Sequence, residues 1–124
     1  LSRFRCADFF VERRCQNQAI VEKLDGDFYT TSINVFELWF GRKETEKIFE
    51  LLEWLHVLEL DKKSAKLAAD ILRQLKSKGA IELRDLSIAA ICINNDAELL
   101  SYDKHFERLK KIRPNFDEEI RGKC

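Results

Sequence analysis

The spacing of apolar residues changes character several times along the chain, and each change predicts a boundary between elements. Residues 1–10 alternate imperfectly, with Phe4, Cys6 and then Phe9-Phe10, which predicts a short strand turning near Asp8. Ala19, Ile20 and Leu24 recur at helical spacing, and Asp25-Gly26-Asp27 ends that helix with a turn. Phe28-Tyr29-Thr30-Thr31 predicts a second short strand. Ser32 is placed to cap the following helix, where its hydroxyl accepts an orphan amide hydrogen. Ile33, Phe36, Trp39 and Phe40 share one stripe of that helix, and Gly41 suits its end.

The next stretch, 45–55, predicts an amphipathic helix with Ile48, Leu51, Leu52 and Leu55 inward and Glu44, Glu46, Lys47, Glu50 and Glu53 in water. Residues 57–60 read as a strand, opened by His56 in a structural role. Asp61 caps a long helix whose Ala65, Ala68, Ile71, Leu72 and Leu75 recur at the right interval, and Gly79 stops it. Leu83-Arg84-Asp85 opens a helix that is apolar on nearly every side over 86–93, which predicts a central position. Asn94-Asn95 ends it, 97–101 forms a strand, and Asp103 follows. Residues 106–109 allow one more helical turn, and Pro114 marks irregular chain beyond Ile112.

Strands separated by helices predict an α/β fold with a parallel sheet covered by helices, because parallel neighbours need crossovers. In such sheets ligands bind outside the carboxyl ends of the strands. Asp8 and Asp103 directly follow predicted strands, while Glu37 and Asp85 fall in the first two turns of helices.

Composition narrows this picture. A chain of 124 residues, 45% hydrophobic with one Pro and four Gly, predicts a single packed domain over 1–124. A chain of this length buries roughly two thirds of the surface it exposes unfolded. Lys and Arg number 22, as do Asp and Glu, so any attraction for an anion has to be local. Cys6, Cys15, Cys92 and Cys124 form no CxxC, have no His-Cys ligand spacing and follow no secretory leader, which predicts a reduced, cytoplasmic protein. Cys92, within Ile91-Cys92-Ile93, reads as a small buried hydrophobe. No apolar stretch approaches the roughly 20 residues that span a bilayer.

Three acids resist a solubility explanation. Glu37 lies inside the apolar run 33–40, Asp85 precedes 86–93, and Asp103 follows 99–102. An ionised carboxylate leaving water costs several kcal/mol unless something compensates, and no Lys or Arg within 33–40 is available to Glu37. A divalent cation is the simplest compensator. Mg²⁺ takes oxygen ligands and is usually held by carboxylates together with substrate phosphates. The expected chemistry is therefore metal-assisted cleavage of a phosphodiester by Asp8, Glu37, Asp85 and Asp103. The structural alternatives are a helix cap for Asp85, a turn for Asp103 or Asp8, and a salt bridge from Glu37 to a distant Arg. His105 reads as a packing or capping residue. Lys104, Arg108, Lys110, Lys111 and Arg113 make a basic tract that either holds flanking phosphates or is a solvated helix face. There is no GxGxxG and no GxSxG.

Three segments resemble a PIN domain of the VapC toxin type: Thr30-Thr31-Ser32-Ile33-Asn34-Val35-Phe36-Glu37-Leu38, Arg84-Asp85-Leu86-Ser87-Ile88-Ala89-Ala90, and Leu99-Leu100-Ser101-Tyr102-Asp103-Lys104-His105-Phe106. They occur in the family's order and spacing over roughly 28–112. The resemblance implies a three-layer α/β/α sandwich with a central, mainly parallel sheet. It further implies a Mg²⁺- or Mn²⁺-dependent endoribonuclease, a homodimer, and a VapB-type antitoxin covering the active site. Glu37, Asp85 and Asp103 fall on the family's second, third and fourth acidic positions. At the first, an ungapped alignment puts Cys6 in place of the acid, with Asp8 two positions later. Two expectations follow: an active nuclease in which Asp8 serves as the first acid, or an impaired module that only binds antitoxin or RNA.

Overall fold

The structure, a computed structural model, describes residues 4–8, 28–41, 45–75, 81–101 and 118–120. Five strands are present among them: β1 Phe4–Ala7, β2 Phe28–Thr31, β3 Leu55–Leu58, β4 Ala97–Ser101 and β5 Glu118–Ile120. Four helices accompany them: α1 Ser32–Gly41, α2 Thr45–Trp54, α3 Lys62–Leu75 and α4 Leu83–Asn94. The strands form one sheet in the order β3-β2-β1-β4-β5, and each pairing is parallel.

Alternation along the central strands builds the three layers. Cys6 of β1 and Leu99 of β4, register partners, face one side and pack with Ala68, Ile71, Leu75, Leu86 and Ile88 of α3 and α4. The next residues, Ala7 and Leu100, face the other side and pack with Leu38 of α1, Leu55, and Leu51 and Leu52 of α2. Residues 85–92 of α4 are all buried, as its uninterrupted apolar sequence predicts. Arg5, which interrupts the apolar character of β1, stays exposed and pairs at 3.9 Å with Glu98, its register partner on β4. Among the described residues no helix is long and apolar enough to cross a membrane.

Several local expectations are corrected. The third strand begins at Leu55 rather than Val57, so α2 ends at Trp54. His56 lies inside β3, its ring centroid 4.9 Å from that of Tyr29, the residue opposite it on β2. Helix α1 turns Asn34 and Leu38 inward, not the aromatic stripe; Phe36 is 65% and Phe40 83% exposed, and their rings stack on each other at 5.9 Å. The inward face of α1 is claimed by polar bonds to the sheet end, described below. Thr31 rather than Ser32 caps this helix, since its Oγ1 accepts the Asn34 amide hydrogen at 3.2 Å. Asp61 caps α3 as expected, accepting from the Ser64 amide at 2.8 Å. Strand β5 lies in the stretch expected to be irregular. The helix expected over 16–24, the turn over 106–109, and Asp103, His105 and the basic tract lie outside the described residues.

Candidate active site

The strand order places a topological switch between β1 and β4. From β1 the chain proceeds outward through β2 and β3, then crosses to β4 on the opposite side of β1. In open α/β sheets the crevice in which ligands bind lies at such a switch, here outside the carboxyl ends of β1 and β4. Asp8 stands at the end of β1, where its amide donates to the Leu100 carbonyl at 2.9 Å and extends the ladder by one bond. Ser101 is the last residue of β4, and its hydroxyl donates to Asp8 Oδ2 at 2.7 Å.

Helix α1 begins immediately after β2 and brings two more polar groups to the same place. Asn34 is fully buried, and its Nδ2 donates to Asp8 Oδ1 at 2.8 Å and to Glu37 Oε1 at 3.4 Å. The orientation of this amide is fixed from behind, because the Thr31 hydroxyl donates to Asn34 Oδ1 at 2.8 Å. Three residues on, Glu37 reaches the same crevice with 21% of its side chain exposed.

Helix α4 supplies the remaining parts from its first turn. Asp85 is 1% exposed, and its neighbour Arg84 reaches across the acids. Arg84 Nε donates to Glu37 Oε2 at 2.5 Å, Nη1 to Asp85 Oδ1 at 2.7 Å, and Nη2 to Asp8 Oδ1. Each of the three guanidinium nitrogens thus engages a different carboxylate. Desolvation opposes the charge on Arg84, but the hydrogen bond to Glu37 and the charges of Asp8 and Glu37 outweigh it, and its pKa is raised. Burial of Asp8 and Asp85 is tolerable on these terms, since a buried carboxylate requires charge and hydrogen-bond partners.

Asp8, Glu37 and Asp85, separated by up to 77 positions in sequence, thus meet around one cationic group. The partner that the sequence left open for Glu37 is a distant arginine. Cys6 is not part of this cluster: it lies within β1, fully buried, with Tyr29 and Leu99 as register partners. A hydrogen bond with Cys92, followed by burial and the nearby charge of Asp8, pushes its thiol pKa up. The acid at the carboxyl end of β1 is therefore Asp8.

Sequence reasoning missed Arg84, Asn34, Thr31 and Ser101. Arg84 was visible as a cation beside the buried Asp85, and Asn34 as a polar residue one turn before Glu37, inside an apolar run. The all-oxygen acid set suits a hard cation. As it stands the set is organised by a guanidinium, and among the described residues no group of three or more such side chains is placed to hold an ion.

A doubly wound α/β sheet with acids gathered at its switch point defines a class of domains whose chemistry lies at the strand ends. The PIN domain family matches residues 7–112, and this chain belongs to that family. Over 63 residues it is 46% identical to Ribonuclease VapC3 of Methanocaldococcus jannaschii; the match takes in 49% of this chain and 65% of that relative's length. The fold is similar to VapBC2 from Rickettsia felis bound to a DNA fragment from its promoter, with a TM-score of 0.75 at 22% identity, covering 96% of this chain and 99% of that one. It is also similar to VapBC-1 from nontypeable Haemophilus influenzae, with a TM-score of 0.72 at 20% identity, covering 96% and 98%.

Proposed function

We propose that this chain is a single PIN domain acting in the cytoplasm as a divalent-metal-dependent endoribonuclease, the toxin of a VapBC-type pair. The observation that carries the reading is the convergence of Asp8, Glu37 and Asp85 at the switch point. Family membership and the ribonuclease name of the M. jannaschii relative support RNA as the substrate. The VapBC make-up of the structurally similar assemblies supports a VapB-type partner. An apolar surface beside the site, Phe36 and Phe40 on the outer face of α1, offers that partner a place to dock. The resemblance to VapC-type PIN domains implies a homodimer as the working form.

Asp8, Glu37, Asp85 and Asp103 would hold Mg²⁺ or Mn²⁺. When bound, the ion supplies positive charge to the phosphoryl oxygens and lowers the cost of ionising water. The chain's own residues prepare the site. Asn34 and Ser101 fix both oxygens of Asp8, so its carboxylate cannot rotate away. Asp85 is held in the first turn of α4, where the helix dipole favours its charge. Glu37 is the most exposed of the three described acids, with Oε1 toward Asn34 Nδ2 and Oε2 toward Arg84, so its carboxylate is the one within reach of solvent and substrate. The basic tract from Lys104 to Arg113 steadies flanking phosphates.

The test is cleavage of a fluorophore-quencher RNA by the purified protein. Cleavage that needs Mn²⁺ or Mg²⁺ and disappears in Asp85→Asn supports the reading. Activity indifferent to chelator and to that substitution would remove it.

A further inference from the structure

We propose that Arg84 is a resident counter-cation: it holds the acid cluster together in the metal-free protein and must withdraw before a divalent ion can load. The proposal rests on the metal-dependent reading given above. Its starting point is that all three guanidinium nitrogens are committed, each to an oxygen of a different acid: Glu37 at 2.5 Å, Asp85 at 2.7 Å, and Asp8. Those oxygens, Oε2 of Glu37 and Oδ1 of both Asp85 and Asp8, belong to the acids that would ligate the ion.

Sharing is excluded by size and charge. A divalent ion of the Mg²⁺ type draws its oxygens to about 2.0–2.1 Å in a near-octahedral shell, whereas a planar guanidinium keeps them apart around a wider group. With Arg84 between them, no three of the described acids are placed to hold an ion as they stand. Two cations on one set of carboxylates also repel each other. Loading is therefore an exchange, in which charge-assisted bonds to Arg84 are lost as bonds to the ion form.

The side chain is placed for such an exchange. Arg84 is the second residue of α4, at the mouth of the crevice, and 14% of its side chain reaches solvent, while Asp8 and Asp85 behind it are 1% exposed. Its flanking residues Glu82 and Leu83 are exposed, so a rotated arginine has an open surface to move to. Asp8 remains held by Asn34 and Ser101 when Arg84 leaves, so the acid nearest the sheet need not collapse.

The experiment is calorimetric titration of Mn²⁺ into the parent protein, Arg84→Gln, Arg84→Lys and Asp85→Asn, with the melting temperature of each measured with and without the ion. The expected result is a lower metal-free melting temperature for R84Q and Mn²⁺ affinity raised roughly 10- to 100-fold, the scale of one or two charge-assisted bonds no longer competing. R84K, a point charge without the fork, falls between. Should R84Q be unfolded without metal, recovery of its native circular dichroism on adding Mn²⁺ supports the exchange, and failure to recover overturns it. Equal Mn²⁺ affinity in the parent and R84Q overturns the exchange while leaving the metal reading intact. Absence of Mn²⁺ binding in every variant overturns both.

Discussion

Replacing Asn34 by alanine tests whether the acid cluster is built from behind as well as from its mouth. Asn34 is fully buried and joins the end of β2 to the acids: it accepts from the Thr31 hydroxyl at 2.8 Å and donates to Asp8 at 2.8 Å. Its 3.4 Å approach to Glu37 is long enough to contribute little. In Asn34→Ala, Asp8 keeps Ser101 and Arg84 but loses one donor to a buried charge, worth about 1.5–3 kcal/mol. The buried Thr31 hydroxyl loses its acceptor, at about 1 kcal/mol when it can turn to another. The amide hydrogen bond from residue 34 to Thr31 survives, because it is made by the main chain. The sum is a destabilisation of about 2.5–4 kcal/mol, or roughly 8–16 °C in melting temperature for a domain of this size. Urea and thermal denaturation followed by circular dichroism read it directly. Asn34→Asp separates geometry from charge: it keeps an acceptor for Thr31 but sets a third acid against Asp8 and Glu37, and should fall at least as far near neutral pH. A stability of Asn34→Ala within about 0.5 kcal/mol of the parent, the range of ordinary surface substitutions, would refute the reasoning.

Asp8→Ala leaves Arg84 without one of its carboxylates, and is expected to cost about 3–5 kcal/mol by denaturation as well as removing cleavage. Cys6→Asp puts a carboxylate into the sheet interior beside Leu99 and Cys92 and is expected to abolish folding or cost several kcal/mol, without gain of activity; a folded, more active C6D would reassign the first acid. The Ser64 amide bond to Asp61 lowers the pKa of that carboxylate, so its contribution is present above the ordinary Asp range and is lost as pH falls through the lowered value. The melting temperature of Asp61→Ala should accordingly lie below the parent's at pH 7, with the gap closing in acid. Phe36→Ser with Phe40→Ser removes an exposed ring pair and should leave stability nearly unchanged while weakening binding of the antitoxin in a pull-down titration.

The order of β1 to β4 and the described helices between them, and the parallel sheet, were readable because α3 repeats its apolar positions at helical spacing and α4 is a long apolar run ended by Asn94-Asn95. Asp61 was readable as a cap because the side chain and the amide it serves are three residues apart. Helix α1 was misread for the opposite reason. Its apolar stripe through Phe36 and Phe40 is real, but its inward face is decided by Asn34, whose partners Thr31 and Asp8 come from two strands. Periodicity ranks residues by hydrophobicity and cannot see a buried polar bond. Strand β5 escaped because three residues, two of them acidic, carry no alternation to detect. Among the acids, Glu37 and Asp85 were found from the cost of burying charge, and Asp8 from its place directly after a predicted strand. Arg84 was not, since an arginine at a helix start is ordinary until its 47-residue reach to Glu37 is known.

The central claim is that these carboxylates exchange an internal arginine for a metal ion that serves RNA cleavage. Anomalous diffraction from crystals grown with Mn²⁺ tests it most directly. The account predicts a peak at about 2.1 Å from oxygens of Asp8 and Asp85, with Arg84 turned away from them. A peak elsewhere on the molecule, with Arg84 still bonded to Glu37, Asp85 and Asp8, would contradict it.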